Sequence, residues 1–505
     1  MTANRTLIIS IFIVASCGLA YELIIAALAS YLLGDSILQF SSVIGLYLFS
    51  MGIGAHLTRY IKDEDVLHRF IEIELLVGII GGISALALFV AFGLSAAPFR
   101  TLLYAFVLIV GAVVGMEIPL VMRVLNRKGA EFKELVSKVL TFDYLGALAV
   151  SLLFPLLLAP KLGMARSALL FGILNAAVAY LTARVFKAEL PRYRAIRLRA
   201  LIVLSVLAAT FAYADRISFK AEQSYFGDPV VYQSHSPYQR LVVTRWKDDT
   251  RLYINGNLQF SSRDEARYHE ALVLPAMQMV QNAARILILG GGDGLAAREV
   301  LKYPQVKNVT LVDLDPDMTA TFKTSAALSA LNQGSLSHPK MHIVNDDAAK
   351  WLEGSSEKFD VIIIDLPDPS NFSLGKLYSV PMYRLVARHL QPQGKIVVQS
   401  TSPYFAPNAY WSVVATLEAA GLSTVPYHVY VPSFGEWGFV LAGFDKKQFP
   451  VPQKFDVPTR YLNAQTAAEM FRFPPDMARR KVEPNYLNNQ ILVSYFESDW
   501  RNVTR

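Results

Sequence analysis

The chain has 505 residues, of which 53% are hydrophobic and only 18% charged, and a formal net charge of +7. That is too apolar for an ordinary soluble enzyme of this length and long enough for two or more domains. A single cysteine, Cys17, excludes an intramolecular disulfide and a cysteine-rich metal site. The basic residues do not mark a nucleic-acid surface. They cluster in short loops between apolar runs (Arg123, Arg127, Lys128, Lys133; Arg192, Arg194, Arg197, Arg199), where Lys and Arg set membrane topology.

Up to about residue 214 the chain is a series of apolar runs, near 7–33, 38–58, 71–94, 101–122, 139–160 and 165–185. Each approaches the roughly 20 apolar residues needed to cross a hydrocarbon core. A seventh run at 200–214 is shorter. The first run contains Ala27-Leu28-Ala29, which resembles a signal cleavage site. Its length and Glu22 predict a retained span instead. Loops after the second, fourth and sixth runs carry most of the positive charge, which places them and the N-terminus in the cytoplasm. Six spans, with 200–214 lying on or dipping into the bilayer, put the C-terminal half in the cytoplasm, and seven put it outside. The cytoplasmic origin of the nucleotide substrate argued below favours six. Glu22, Glu72, Glu74, Glu117 and Asp143 lie in or beside the runs, and charges at such depth suggest a polar path or a buried pair.

From about 217 the pattern changes. Alternating segments at Val230–Tyr232, Arg240–Arg245, Arg251–Ile254 and Asn257–Ser261, with an Asn255-Gly256 turn, predict β-hairpins. Strands at Ile286–Leu289, Val309–Val312, Met341–Val344, Val361–Ile364 and Lys395–Val398 then alternate with helices, the pattern of a doubly wound α/β sheet. The domains expected are a multi-pass transmembrane domain at 1–215, a small β-hairpin domain at 216–270, a Rossmann-like domain at 271–455 and a helical tail at 456–505. A break at Pro474-Pro475 interrupts that tail.

The first of these strands runs into Gly290-Gly291-Gly292-Asp293-Gly294 and then a helix. Such a turn lets the backbone approach a ligand closely. Nineteen residues beyond Gly294, Asp313 ends the next strand, where a carboxylate accepts from ribose hydroxyls. Asp293, Asp313, Asp315, Asp346, Asp347, Asp365 and Asp368 all fall at or beyond strand ends. So much negative charge suits a ligand with ammonium groups rather than a pyrophosphate. Leu366-Pro367-Asp368-Pro369 adds a stiff turn that fixes Asp365 and Asp368.

Asp264-Glu265 through Tyr268-His269-Glu270, the Gly290–Gly294 turn, Asp313-Leu314-Asp315 and Asp365–Pro369 together resemble the spermidine synthases, or polyamine aminopropyltransferases, over roughly 230–445. With the membrane half and Pro432–Trp437 included, the chain is similar to the membrane-fused bacterial branch of that family. The resemblance implies a methyltransferase-type fold behind a small β domain. It implies transfer of an aminopropyl group from decarboxylated S-adenosylmethionine, a co-substrate, to a diamine such as putrescine, with no metal or other cofactor. Gln239, Gly291, Asp293, Asp313 and Asp346 would then hold the donor, with Asp293 at its ammonium, Asp313 at the ribose and Asp346 at the adenine. Asp365 would take the proton, while Tyr268, His269, Gln259, Asp368 and Phe434 would line the amine site. Phe434 stands where the family usually has tyrosine, and Asp347 where it has glycine. The implied partners are polyamine and adenosyl small molecules and the lipid bilayer of the cell's inner membrane. Self-association stays open, dimers and tetramers being common in the family.

Two rival readings are a membrane-tethered S-adenosylmethionine methyltransferase and a polyamine transporter with a sensing domain. Asp293 speaks against the first, because it would repel that donor's carboxylate. Of the aromatic stretch Tyr404, Tyr410, Trp411, Tyr427, Tyr430 and Trp437, most are expected in the core or cleft wall. His235 and His428 lack partners at metal-ligand spacing.

Overall fold

Among the described residues, seven long helices make up the first half: α1 (Ala3–Leu33), α2 (Ser36–Leu57), α3 (Val66–Leu94), α4 (Ala96–Asn126), α5 (Phe132–Leu153), α6 (Ala159–Val185) and α7 (Tyr193–Phe226). The structure, a computed structural model, describes residues 3–33, 36–94, 96–127, 132–445 and 449–503. Lys128 lies outside the described residues. The chain divides into two units, Met1–Pro229 and Val230–Arg505.

Among the described residues, six helical stretches of the first unit are long and apolar enough to cross a membrane. One of them, Lys133–Val185, holds both α5 and α6. A π-helical turn at Phe154–Leu158 and the non-helical Gly163 (φ 73°, ψ 169°) break it in two. Large apolar side chains such as Leu48, Phe49 and Leu156 face outward, as expected where the surroundings are themselves apolar. Inside, small residues bring backbones together. A Cβ on Gly54 would lie 1.8 Å from the Ala112 carbonyl oxygen, and one on Gly172 2.5 Å from that of Gly78. These contacts seat α2 on α4 and α3 on α6.

The seventh run departs from expectation. The 200–214 segment is the middle of a 34-residue helix whose stretch Tyr193–Ala221 is as apolar as a span requires. Arg199 of α7 pairs with Glu72 near the start of α3, and a Cβ on Gly93 at the end of α3 would meet the Ala221 carbonyl. So α7 runs parallel to α3 along its length and reaches the same depth. The picture of a short seventh segment, on which the cytoplasmic placement of the second half rested, is replaced by a full-length helix. The helix also carries the unit boundary past 215, through the polar Asp215–Phe226 stretch.

The second unit opens with an antiparallel meander, β1 (Val230–His235), β2 (Arg240–Trp246), β3 (Asp249–Ile254) and β4 (Asn257–Ser261). Asn255 and Gly256, both at positive φ (50° and 84°), form the two-residue turn between β3 and β4. After α8 (Glu265–Met279) come β5 (Arg285–Gly290), α9 (Leu295–Leu301), β6 (Asn308–Asp313), α10 (Pro316–Thr324), α11 (Ala326–Leu331), β7 (Met341–Asn345), α12 (Ala348–Gly354), β8 (Phe359–Asp365), α13 (Phe372–Gly375), α14 (Val380–Arg388), β9 (Leu390–Gln399) and α15 (Pro407–Ala419). A hairpin of β10 (Ser423–Val431) and β11 (Gly435–Gly443), then α16 (Ala464–Met470) and α17 (Ile491–Val503), complete the unit.

Seven strands form one sheet in the order β10-β11-β9-β8-β5-β6-β7, with β5 to β9 parallel and β11 antiparallel to β9. The central strands are apolar on both faces, as a sheet covered by helices on both sides requires. Ile286, Ile288, Val361 and Ile363 point into one core, and Leu287, Leu289, Ile362 and Ile364 into the other. From β5 the chain winds outward to β7, then crosses back to β8 on the other side of β5. The strand order therefore reverses between β5 and β8, and a ligand crevice opens at their carboxyl ends.

Candidate active site

Gly290 ends β5 opposite Asp365, which ends β8. Gly290, Gly291 and Gly294 all have positive φ (81°, 65° and 77°), a conformation a side chain would strain. The space is closed as well. A Cβ on Gly290 would stand 2.2 Å from the Asp365 carbonyl oxygen, and one on Gly292 2.6 Å from Asp313 Oδ2. The turn is thus drawn tight between two strand-end carboxylates. The Gly291 amide donates to the Asp365 carbonyl (3.2 Å) and the Gly292 amide to Asp313 Oδ2 (3.0 Å).

Asp293 follows in the same turn, buried, accepting from the Leu295 amide at 2.9 Å. Asp313 Oδ1 accepts from the Asp315 amide, and Asp315 caps α10 while taking a bond from Ser236 Oγ. Ser236 Oγ also receives the Gln239 amide, so the β1–β2 turn bearing Gln239 is docked beside the end of β6. Asp346, past the end of β7, is half-exposed and accepts from the Asp347 amide and Lys350 Nζ. The neighbouring Asp347 caps α12. Gln259 lies apart from the bonded cluster, its amide turned to the Asn257 carbonyl.

On the other side of the glycine turn, Tyr268 of α8 donates to Asp365 Oδ1 at 2.7 Å. Asp368 is held by Gln399 Nε2 and Thr401 Oγ1, both at 3.2 Å. Gln399 also donates to the Leu366 carbonyl and accepts from Trp437 Nε1. Thr401 sits at φ 58°, rare for a β-branched residue, and its carbonyl accepts from the Gly438 amide. Phe434 packs edge-on to Tyr268 (6.2 Å between centroids) and against Trp437 (5.2 Å), so aromatic rings wall the carboxylates. Its β10–β11 turn is fastened by Ser433, which donates to both oxygens of Asp264.

His269 lies edge-on to the Tyr268 ring (5.0 Å between centroids), with Glu265 Oε2 3.0 Å from its Nδ1. Glu265 also takes a two-pronged bond from Arg298 (3.1 and 2.8 Å). Burial opposes charge on His269, but Glu265 outweighs it and holds the imidazole pKa above the usual range. Through Nδ1 His269 joins a buried ionic group with Glu265 and Arg298, and it stays within electrostatic range of Asp293 and Asp365.

Burial dominates the electrostatics of the carboxylates. It raises Asp293, and it pushes Asp313, Asp365 and Asp368 each up to about 6, against bonds from Asp315 and Gly292, against the His269 charge and the Tyr268 bond, and against bonds from Gln399 and Thr401 respectively. Desolvated carboxylates of this kind favour a cationic ligand, which restores their charge balance.

Gln399, Thr401 and Trp437 escaped the sequence reading as site residues. The signal was present for Gln399, a polar residue directly after the apolar run Lys395–Val398, where a strand end meets the crevice. Of the aromatic stretch, Tyr410, Trp411 and Tyr427 are core, but Tyr404 and Tyr430 are about half exposed (53% and 51%). His428 is engaged by Glu436 and the Arg472 carbonyl.

The spermine/spermidine synthase domain matches residues 265–454. Polyamine aminopropyltransferase 2 of Ralstonia nicotianae is 61% identical over 506 residues, covering 99% of both chains. The polyamine aminopropyltransferase of Leptospira interrogans is 46% identical, again covering 99% of each. Among solved structures, a spermidine synthase from Thermotoga maritima aligns at 25% identity and a TM-score of 0.44, covering 48% of this chain and 84% of its own. At such identity over its whole length, membrane-type half included, the chain belongs to the polyamine aminopropyltransferase family.

Proposed function

We propose that the second unit transfers the aminopropyl group of decarboxylated S-adenosylmethionine to putrescine, giving spermidine and 5′-methylthioadenosine. The observation that carries this reading is the pair Asp365–Tyr268 set against the glycine turn among buried carboxylates. The sulfonium of the donor is already a good leaving group, so the protein's work is to position and deprotonate the amine. The amine nitrogen attacks the methylene carbon beside the sulfonium and the carbon–sulfur bond breaks. The bonding pair leaves with the neutral thioether, and the surplus proton passes from nitrogen to Asp365. A free alkylamine has a pKa near about 10, so a desolvated carboxylate held in place by Tyr268 is a suitable acceptor. Asp368 would hold the far ammonium of the diamine, with Phe434 and Trp437 along its methylenes. Asp293 would meet the donor ammonium and Asp313 its ribose, with Gln239 and Asp346 at the margins of the same ligand.

Replacing Asp365→Asn tests the assignment. Turnover should fall on the order of 10²- to 10⁴-fold, the usual contribution of a general base. Donor affinity, measured by equilibrium binding, should stay within about threefold. A variant with wild-type turnover would remove Asp365 from the mechanism.

We also infer that the first unit resides in the cell's inner membrane. Six apolar stretches of spanning length and an outward-facing apolar surface support this.

A further inference from the structure

The first unit contains polar chemistry that aminopropyl transfer does not use. Glu74 on α3 is fully buried, and among the described residues neither of its oxygens has a hydrogen-bond partner. Glu117 on α4 is 2% exposed, with Oε1 likewise unpartnered. The two carboxylates lie within electrostatic range of each other and of Tyr21 on α1.

The packing of α3 shows how the site is assembled. Gly78 and Gly81 follow Glu74 at one and two helical turns, on the same face. A Cβ on Gly78 would stand 3.4 Å from Asn175 Cβ of α6, and one on Gly81 2.6 Å from Tyr21 Cζ. The missing side chains admit Asn175 and Tyr21 to the stripe that carries Glu74. Both are fully buried, and among the described residues the Tyr21 hydroxyl and both polar atoms of the Asn175 amide are also without partners. Four helices therefore direct unsatisfied polar groups into one buried region, about 12 Å (eight residues) along α3 from its start.

Such an arrangement is costly without a ligand. Each unsatisfied buried polar group is unfavourable, and an unpaired intramembrane carboxylate more so. Among the described residues no lysine, arginine or histidine pairs with Glu74. A small cation with several hydrogen-bond donors matches the acceptors of the set, the carboxylate oxygens of Glu74 and Glu117 and Oδ1 of Asn175. A protonated amine supplies one charge and three N–H groups, and the Tyr21 ring offers a cation-attracting face.

We propose that Glu74 and Glu117, with Tyr21 and Asn175, form an ammonium-binding site through which the first unit carries protonated aliphatic amines across the membrane. Amines as the cargo class rest on the function proposed for the second unit, whose substrate and product are such amines. The buried groups themselves do not depend on it.

The test is uptake of labelled putrescine and spermidine into sealed proteoliposomes holding the full chain, with aminopropyl transfer assayed on the same preparations. The expected result is saturable uptake by the wild type and by Asp365→Asn. It should fall at least tenfold in the double variant Glu74→Gln/Glu117→Gln, while transfer activity of that variant stays within about twofold. Retained transfer shows that the variant is folded. If it does not fold, saturable wild-type uptake against empty vesicles still decides. Uptake no greater than in empty vesicles, or equal in the folded double variant, overturns the proposal. Movement of sodium or protons without amine overturns the cargo class. Loss of aminopropyl transfer in the wild type with uptake intact contradicts the second unit's function and leaves this site standing.

Discussion

Asp365 reaches Tyr268 across 97 positions of sequence, and neither side chain could do the other's work. The phenol fixes one carboxylate oxygen, which leaves the other to face the crevice and the Gly291 backbone, 3.3 Å from where a Cβ would stand. Burial sets the working pH of this group. With Asp365 and Asp368 held at about 6, the site below that pH is protonated and can neither accept the amine's proton nor attract its far charge. Activity should therefore rise with pH through about 6, more than two units above an ordinary aspartate, and the limb should be read from kcat/KM for the amine, which reports the free enzyme. A limb near pH 4 would mean that the carboxylates are solvated in the working protein.

At the scale of elements, much was legible in the sequence and the omissions have physical causes. Strand ends were readable because fully buried parallel strands are unbroken apolar runs, and Asp313 and Asp365 close two of them. The glycine turn was readable because positive φ and close approach leave few alternatives to glycine. What the residues alone did not reveal was pairing: Tyr268 with Asp365, or Gln399 with Asp368 and Trp437, depends on which strands become neighbours. The length of α7 was underestimated because its apolar centre is flanked by Arg194, Arg197 and Arg199 on one side and Asp215 and Arg216 on the other, charges that the helix carries without breaking. The tail was read as helical with a break at Pro474-Pro475, but how it is fastened was not legible.

That fastening is Glu270 of α8, fully buried, whose oxygens accept the backbone amides of Arg460, Tyr461 and Leu462. Three donors converge on one carboxylate just behind Tyr268 and His269. Glu270→Ala should leave them unsatisfied and cost about 3 kcal/mol or more, seen as a lower unfolding temperature of the detergent-solubilised chain. Glu270→Gln should lose less, since its amide oxygen still accepts. An unchanged melting temperature in the alanine variant would mean that the tail does not depend on this anchor.

The whole molecule joins a unit of long apolar helices to a unit whose carboxylate crevice suits polyamines. Its relatives are similar over both units, at 61% and 46% identity across 99% of the chain, so the joining is a property of the family members themselves. Both units present buried acid: four raised carboxylates around the glycine turn, and Glu74 with Glu117 among the helices, unpartnered among the described residues. A chain that handles one class of small organic cation accounts for both.

The most direct test of that account is the release of 5′-methylthioadenosine by the purified full chain. Decarboxylated S-adenosylmethionine and its carboxylated parent would be compared as donors against a panel of amines. Release should occur with the decarboxylated donor and depend on the amine, with putrescine the best acceptor, while the carboxylated parent, repelled at Asp293, gives none. Turnover of the carboxylated donor, or binding of the decarboxylated one with no release for any amine, would contradict it.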